Sequence, residues 1–342
     1  MQKRFAVIIP NYNGAATVGK CLEAVLSSNH ESFEVIVVDD CSNDDSVSII
    51  SRYPCRLIRL EEHSGAATAR NIGARESKGE MLFFTDSDCL LKPETLSMAD
   101  AAVTGREDTV FGGTYTEVPH DKDFFSAFQS AFINYSETKK KEPDYIASHA
   151  MVISRELFIN SGGFPGDFLP VIEDVEFSHR LRRAGIKLEM APDILVEHIF
   201  RFSFRKSLAN AFRKSKYWTV YSLGNRDLLS DSGTASSELK INMGSWFLSV
   251  ALGLLSLFLK EGAFLLPIPL FLVVDTLVNR NLLYSFFSAG GAVFFAKAVL
   301  YYMLVYPFAV VSGSSAGMLE YLVSPSLRRK MTKQGLRAEF RS

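Results

Sequence analysis

The sequence predicts an α/β layer built on a mainly parallel sheet, followed by an apolar α-helical region. Short β-branched apolar runs recur between Phe5 and Tyr115, and several are continuous rather than alternating, as strands covered on both faces should be. Helical spacing fills the gaps between them, the alternation expected of a parallel sheet with crossover helices. Charge then falls away. In a chain of 342 residues that is 22% charged, residues 241–312 carry only Lys260, Glu261, Asp275, Arg280 and Lys297.

The predicted strands are FAVII (5–9), FEVIVV (33–38), CRLIRL (55–60), MLFF (81–84) and TVFGGTY (109–115). Between them, Val18, Cys21, Leu22, Val25 and Leu26 follow i, i+3, i+4, i+7 spacing, and Ala66, Ala69, Ile72 and Gly73 form a small-residue helical face. DKDFFSAFQSAFINYS reads as an amphipathic helix with Phe124, Phe125, Phe128 and Phe132 on one stripe, a core-packing pattern. ASHAMVISRELFINSGGF (147–164) predicts a strand, a helix and a Gly-Gly turn. PVIEDVEFSHRLRRAG (170–185) predicts a helix from near Ile172 ended by Gly185, and IKLEMAPDILVEHIF (186–200) a strand and loop.

Beyond residue 200 the character changes. Residues 201–222, RFSFRKSLANAFRKSKYWTVYS, carry six Lys/Arg, no acid, and interleaved aromatic residues, a composition suited to a membrane surface. Residues 243–259 are uncharged and nearly long enough to span. Residues 262–278 are similar but contain Pro267, Pro269 and Asp275, and 282–312 are long and aromatic-rich with Lys297 inside. Two or three transmembrane segments are expected. The basic residues before 241 and Arg328, Arg329, Lys330 and Lys333 both favour the cytoplasmic side, which demands an even number of crossings, whereas hydropathy counts about three. One segment is then re-entrant or interfacial.

A net charge of -1 excludes the basic domain that a nucleic-acid partner would need. The four cysteines, Cys21, Cys41, Cys55 and Cys89, form no CxxC pair and sit in or beside apolar stretches, so free thiols in a reducing compartment are expected rather than disulfides or zinc ligands. The apolar run before Pro10 is too short for a signal-peptide core, so the first domain is expected in the cytosol.

The polar clusters Asn11-Tyr12-Asn13, Asp39-Asp40 and Asp86-Ser87-Asp88 each follow the C-terminal end of an apolar strand. Ligands of open α/β sheets bind outside those ends, so three clusters on one edge point to one shared site. Asp86 and Asp88 can offer oxygens to a hard cation, Mg2+ or Mn2+, which binds through one or two carboxylates plus substrate phosphates. Asp39-Asp40 suits a base or ribose, or alternatively caps the helix that starts near residue 45. Arg70, in GAATARNIGA, can pair with phosphate or stand as a surface charge. Glu173-Asp174 opens a helix, where acids complement the macrodipole and a carboxylate could also serve as general base. His198 ends a strand-like run, and His179 reads as structural.

These motifs together resemble a family 2 glycosyltransferase of GT-A fold. VIIPNYN (7–13), VVDDCSNDDS (37–46), HSGAATARNIGA (63–74), FFTDSD (83–88), GGF (162–164) and EDVEFSHRLRRAG (173–185) are collinear and cover roughly residues 5–200. The resemblance implies a Rossmann-like catalytic domain over 1–200, with a nucleotide-sugar half at about 1–118 and an acceptor half at about 119–200. An interface segment at 201–240, membrane helices at 241–312 and a basic cytoplasmic tail at 313–342 would follow. It implies that Pro10, Tyr12 and Asn13 line the donor pocket, and that Asp39 or Asp40 holds base and ribose with Arg70 nearby. Asp86, Ser87 and Asp88 would meet the diphosphate, and Asp86, Asp88 and His198 a metal. Asp174 would be the catalytic base, with Glu173 supporting it. Two departures stand out: Ala150 occupies a position where relatives often have asparagine, and the Q-x-x-R-W signature of processive synthases is absent.

The implied chemistry is inverting transfer. A nucleoside diphosphate leaves with metal assistance, and a positioned base activates the acceptor hydroxyl for in-line attack, so no carboxylate nucleophile is required. UDP-, GDP- or dTDP-sugars are the expected donors. The apolar segments and basic-aromatic stretch point to a lipid-linked, polyprenyl-type acceptor in cell-surface glycan or polysaccharide assembly, with the enzyme on the cytoplasmic membrane and its catalytic domain facing the cytosol. The alternatives are a polyprenyl-phosphate sugar synthase and a non-catalytic, membrane-anchored nucleotide-binding module. The intact pairs Asp86/Asp88 and Glu173/Asp174 count against the last.

Overall fold

A computed structural model describes residues 4–166 and 168–331. They fall into two compact units, one made of residues 4–122 and 137–201, the other of 123–136 and 202–331.

The first unit is an eight-stranded sheet flanked by helices. In chain order its elements are β1 (Phe5–Asn11), α1 (Val18–Leu26), β2 (Phe33–Asp39), α2 (Ser46–Ile50), β3 (Arg56–Arg59), α3 (Ala66–Glu76), β4 (Met81–Phe84), β5 (Cys89–Leu91), α4 (Thr95–Val103) and β6 (Thr109–Tyr115). The helix α5 (Phe124–Thr138) leads out of it, and β7 (Met151–Ser154), α6 (Arg155–Asn160), α7 (Glu173–Arg183) and β8 (Lys187–His198) complete it. The strand order is β3-β2-β1-β4-β7-β6-β8-β5.

The runs that read as continuously apolar are buried on both faces: every residue of β1 and of β4 is buried. β1 pairs in parallel with β2 and β4, in a register that sets Phe5 opposite both Phe33 and Met81. Equal register brings the carboxyl ends of β1, β2 and β4 to one edge, so Asn11, Asp39 and the segment starting at Thr85 emerge side by side. A core of Ile8, Ile36, Val38, Leu82, Phe84, Met151, Phe158, Phe164 and Phe177 packs beneath that edge.

Parallel pairing holds for β3-β2-β1-β4 and again for β6 with β8. β7 runs antiparallel to β4 and β6, and β5 antiparallel to β8. The sheet is therefore mixed in its second half. Hydrophobic periodicity does not encode strand direction, so the antiparallel course of β7 and β5 was not legible in their sequences. The expected strand and loop over 186–200 is one continuous strand, β8, with a register shift opposite Gly112–Thr114. The short strand β5 and the helix α4 were not expected; β5 is three residues long, too short for a periodic signature.

The second unit is helical. α8 (Phe204–Asn225), α9 (Ser237–Leu259), α10 (Ile268–Val278), α11 (Arg280–Leu300) and α12 (Tyr306–Val323) are joined by a 3-10 turn at Gly262–Leu265 and a π turn at Tyr301–Val305. The Phe124, Phe125, Phe128 and Phe132 stripe of α5 packs in this unit, with Phe128 ringed by Phe286, Tyr301 and Tyr306. Residue 313 lies inside α12, while the expected tail beyond 331, with Lys333, lies outside the described residues. Among the described residues, two stretches, Ser237–Leu259 and Arg280–Val323, are long and apolar enough to cross a membrane by length and composition.

Candidate active site

The site grows from the edge where β1, β2 and β4 end. Asn11, buried at the last position of β1, donates from Nδ2 to Asp39 Oδ1 (2.8 Å) and Ser42 Oγ (3.2 Å). Asp39 also accepts from the Ser42 hydroxyl (2.6 Å) and backbone N–H (3.1 Å). Asp40 turns the other way. It accepts from the backbone N–H groups of Ser64 (2.7 Å) and Gly65 (2.8 Å) ahead of α3, and meets His63 Nδ1 at 2.9 Å. Gly65 sits at φ 88°, a conformation open to glycine, which lets both N–H groups point at one carboxylate. At the helix near residue 45, Asp44 of SNDDS accepts from the Ser46 N–H at 3.0 Å, while Asp39 and Asp40 are engaged elsewhere. Asp39 and Asp40 thus wall the sheet edge, tying β1 and α3 to β2.

Above this wall the surface is aromatic. Tyr12 is 48% exposed and its ring lies 4.0 Å from that of His63. Asn13, at φ 51°, accepts the Asn43 N–H on Oδ1 (2.9 Å) and gives its own N–H to Ser42 Oγ (2.8 Å). Pro10 is buried within β1 opposite Val38 and adds no exposed surface. Ser87 is half-buried beside Gly14, where any side chain would collide with Asn11 Oδ1.

The carboxylates after β4 divide. Asp86 is gripped by Arg70, whose Nη2 lies 2.5 Å from Oδ1. The other arm of that guanidinium, Nη1, reaches Glu173 Oε1 at 3.0 Å. Burial raises the Asp86 pKa, but the charge and hydrogen bond of Arg70 outweigh it and hold the carboxyl below its ordinary value. Asp88 has no such partner. Burial first, and the like charge of Asp86 second, push its carboxyl above the usual range. It faces His198, whose Nε2 lies 3.4 Å from Asp88 Oδ1. The pairing of β5 with β8 does this, setting Cys89 opposite His198, with the Ile199 N–H bonded to Asp88 O at 2.9 Å.

Asp88, Cys89 and His198 each offer a ligand atom, all within 4.8 Å of one another. Burial, then the charges of Asp88 and Asp86, hold the Cys89 pKa well above ordinary, so the thiol is neutral while no cation is bound. A carboxylate and an imidazole, with Asp86 adjacent in sequence, suit a divalent cation tolerant of mixed O/N ligation such as Mn2+, with Mg2+ preferring oxygen alone.

Asp174 stands in the first turn of α7 beside Glu173. Its Oδ2 accepts the Ser148 N–H (3.1 Å), and Oδ1 the Val175 N–H (2.8 Å). Burial and then the neighbouring Glu173 charge push its carboxyl up to about 6, against the pull of those N–H groups and Arg70. Asp86, Arg70 and Glu173-Asp174 are therefore one connected cluster, and Asp88 with His198 adjoins it through the Asp86-Ser87-Asp88 turn.

Four participants went unassigned in the sequence. His63 packs against Tyr12 as described. Tyr115 at the end of β6 stacks on His149 (4.0 Å) and meets the His198 ring edge-on (4.9 Å). His149 Nε2 lies 3.4 Å from Glu137 Oε2, which also accepts from the Thr114 hydroxyl at 2.7 Å. His63 and His149 lay within quoted motifs without a distinguishing pattern. Glu137 was hidden on α5, where the aromatic stripe dominates the signal. His179, read as structural, sits 3.5 Å from Asp144.

Residues 6–161 match the family model described as glycosyl transferase family 2. Glycosyltransferase AglE of Haloferax volcanii is 28% identical over 62% of this chain and 71% of its own length. The poly(ribitol-phosphate) beta-N-acetylglucosaminyltransferase TarS of Staphylococcus aureus is 35% identical over 29% of this chain, but the match spans only 19% of that protein. Other curated relatives are likewise matched over less than half their length, at 31% and 44%. Among solved structures, the mannosyltransferase PcManGT from Pyrobaculum calidifontis, in complex with GDP-Man and Mn2+, superposes with a TM-score of 0.57 at 18% identity, over 95% of this chain and 89% of that one. That likeness is one of fold, and it bears out the GT-A architecture expected from the motifs.

Proposed function

Residues 6–161 match the model of glycosyl transferase family 2, and on that premise we propose that the chain is a membrane-bound, metal-dependent, inverting glycosyltransferase of that family. It moves a sugar from a nucleoside-diphosphate sugar to a hydroxyl of a lipid-linked acceptor in cell-surface glycan assembly. The observation that carries the reading is the single cluster at the sheet edge, in which Arg70 joins Asp86 to Glu173, next to Asp174 on one side and Asp88 with His198 on the other.

Within this reading each residue has a task. Tyr12 and His63 offer a flat aromatic surface to the nucleobase, and the Asp39–Asn11–Ser42 network fixes the floor beneath the ribose. Asp88 and His198 would hold a divalent cation, with Asp86 kept ionised by Arg70 alongside. When bound, Mn2+ or Mg2+ would supply positive charge for the departing diphosphate. Asp174 takes the proton of the acceptor hydroxyl as it attacks the anomeric carbon. A carboxyl pushed up to about 6 is a better base near neutral pH than an ordinary aspartate, yet still ionised there. One base with in-line attack inverts the anomeric centre, and a double displacement would need a second carboxylate placed as nucleophile. A cytosolic supply of nucleotide sugars places this site on the cytosolic face of the membrane. The cell-surface assignment draws on the relatives named for polymers of that kind, and the acceptor class on the apolar helices.

The test incubates membranes containing the full chain with a panel of labelled UDP-, GDP- and dTDP-sugars, with Mn2+ or with chelator, and extracts the lipid products. Label in the lipid fraction that needs the metal is expected. Transfer that persists undiminished in chelator, or in Asp174→Asn, defeats the reading. A product as acid-labile as a sugar-phosphate ester identifies the polyprenyl-phosphate synthase alternative.

A further inference from the structure

Three helical arrangements in the second unit decide how it meets a bilayer. α9 and α10 form an antiparallel hairpin, because Asn242 near the start of α9 donates to Asp275 near the end of α10 at 2.9 Å. Asn279 bonds the same carboxylate at 2.7 Å and accepts from the Tyr302 hydroxyl at 2.9 Å, closing the open end of the hairpin with a buried polar clasp. Beyond the clasp the hairpin carries no charge until Lys260 and Glu261 at its tip. Its apolar side chains face outward: Leu257 is 77% exposed, Phe258 84% and Leu266 77%. At about 1.5 Å per residue the uncharged stretch 243–259 covers about 25 Å, close to the hydrocarbon thickness of about 30 Å.

The second long apolar stretch, Arg280–Val323, is not a single rod. Gly291 adopts φ 70° and ψ -170°, which breaks α11. The rings of Phe286 and Phe294 lie 6.4 Å apart and those of Phe287 and Phe295 6.0 Å apart, although eight residues of straight helix advance about 12 Å. The two halves of α11 fold against each other: the first, residues 280–290, is too short to cross, and the second runs on through the π turn into α12, so its place in the bilayer is set by what α12 packs against.

α12 lies along α8. A Cβ at Gly313 would meet Phe212 O at 2.3 Å, and one at Gly317 would meet Lys216 O at 2.3 Å. The two backbones are in contact over a full turn and run in the same direction. Tyr301 donates to Ser207 Oγ (2.9 Å) before that turn, and Lys216 pairs with Glu320 (2.7 Å) after it. α8 carries Arg205, Lys206, Arg213, Lys214 and Lys216. Were α12 to cross the bilayer, its partner would carry Arg213, Lys214 and Lys216, which lie alongside Gly313 to Glu320, into hydrocarbon, where each Lys or Arg is strongly disfavoured.

We infer that the chain enters and leaves the bilayer through one face. The hairpin of α9 and residues 262–278 crosses and returns, while α8 and α12 lie together along the interface, basic side chains against anionic headgroups. The residues before α8 and after α12 are therefore on the same side. This settles the conflict between two basic flanks and about three apolar segments: the stretch after 280 is the interfacial one. The inference rests on the membrane reading proposed above.

The test uses the full chain with different epitope tags at its two ends, expressed in a bacterial host. Membranes are first washed with alkaline carbonate, and release of the protein overturns the membrane reading itself. With the protein retained, protease is added to intact spheroplasts and to inverted vesicles. Loss of both tags from inverted vesicles, and survival of both in spheroplasts, is expected. Tags cleaved from opposite sides overturn this inference and leave the membrane reading intact. In parallel, Glu261→Cys is treated with a membrane-impermeant maleimide. Labelling in spheroplasts supports a crossing hairpin, and labelling only in inverted vesicles, or in neither, overturns it.

Discussion

Arg70 holds Asp86 at 2.5 Å from a position that is only 4% exposed. Its second arm spans to Glu173, 103 residues further along the chain. One buried guanidinium thereby couples the turn after β4 to the first turn of α7, so the expected metal side and the expected base side of the site share a single cation. Removing it would leave two carboxylates facing each other in a partly desolvated pocket.

Arg70→Met should therefore destabilise the protein by roughly 3–5 kcal/mol, as expected when one partner of a buried pair is deleted. Arg70→Lys, which keeps the charge but loses the two-armed fork, should fall between. Thermal melts in detergent at neutral pH check this. The loss should shrink in acid, where protonated carboxyls no longer repel. An Arg70→Met protein as stable as the parent would show that the two ion pairs contribute nothing.

Asp88→Ala and His198→Ala should weaken Mn2+ binding by about 10–100-fold each, the usual consequence of disturbing a metal site. Titration of Mn2+ by electron paramagnetic resonance reads this without any turnover. Asp86→Asn, whose carboxylate already belongs to Arg70, should cost less metal affinity than Asp88→Ala. Equal losses for the two would contradict the division of labour seen at the strand end.

Asp174→Asn should reduce kcat by about 10²–10⁴-fold with donor affinity preserved. In the parent, the raised carboxyl sets the pH profile. The basic form exists above about 6, so kcat should fall tenfold per pH unit below that value and level off above it. Stability has the opposite sign. A carboxyl whose pKa is raised on folding favours the fold below its ordinary value, near 4, and that contribution is lost as pH rises through about 6. A rate profile flat down to pH 4.5 would remove Asp174 as the base.

Tyr12→Ala should raise KM for the nucleotide donor about tenfold while kcat changes little, since stacking on a base contributes about 1–3 kcal/mol. Tyr12→Phe should restore it, because the ring that packs on His63 carries the effect. Donor KM measured for the three proteins decides. A loss repeated in Tyr12→Phe would shift the role to the hydroxyl.

Much of the first unit was legible from residues 5–200. The buried runs of β1, β2 and β4 declared themselves as unbroken apolar stretches, and the polar residues after each declared a strand end. Equal register in a parallel sheet then places those ends together, so the shared edge followed from local pattern alone. β7 was legible as a strand but not as an antiparallel one, because direction depends on its neighbour rather than its own sequence. Glu137 and His149 escaped notice, since nothing in an amphipathic helix or a 3-10 turn marks the side chain that will meet across the sheet.

What the sequence by itself determined, then, was most of the elements, where the buried strands end and which acidic pairs stand at those ends, because periodicity and strand-end chemistry are properties of neighbours in the chain. Only the tertiary structure decided how those acids are used. Asp40 is taken by the N–H groups ahead of α3, Asp86 by an arginine buried beneath it, and Asp88 is left to His198. The same holds for α12, whose composition alone suits a membrane span and whose contact with the basic helix α8 argues otherwise. These outcomes depend on distances between residues far apart in sequence. A carboxylate's role follows from the charges and donors that folding brings within a few ångströms of it.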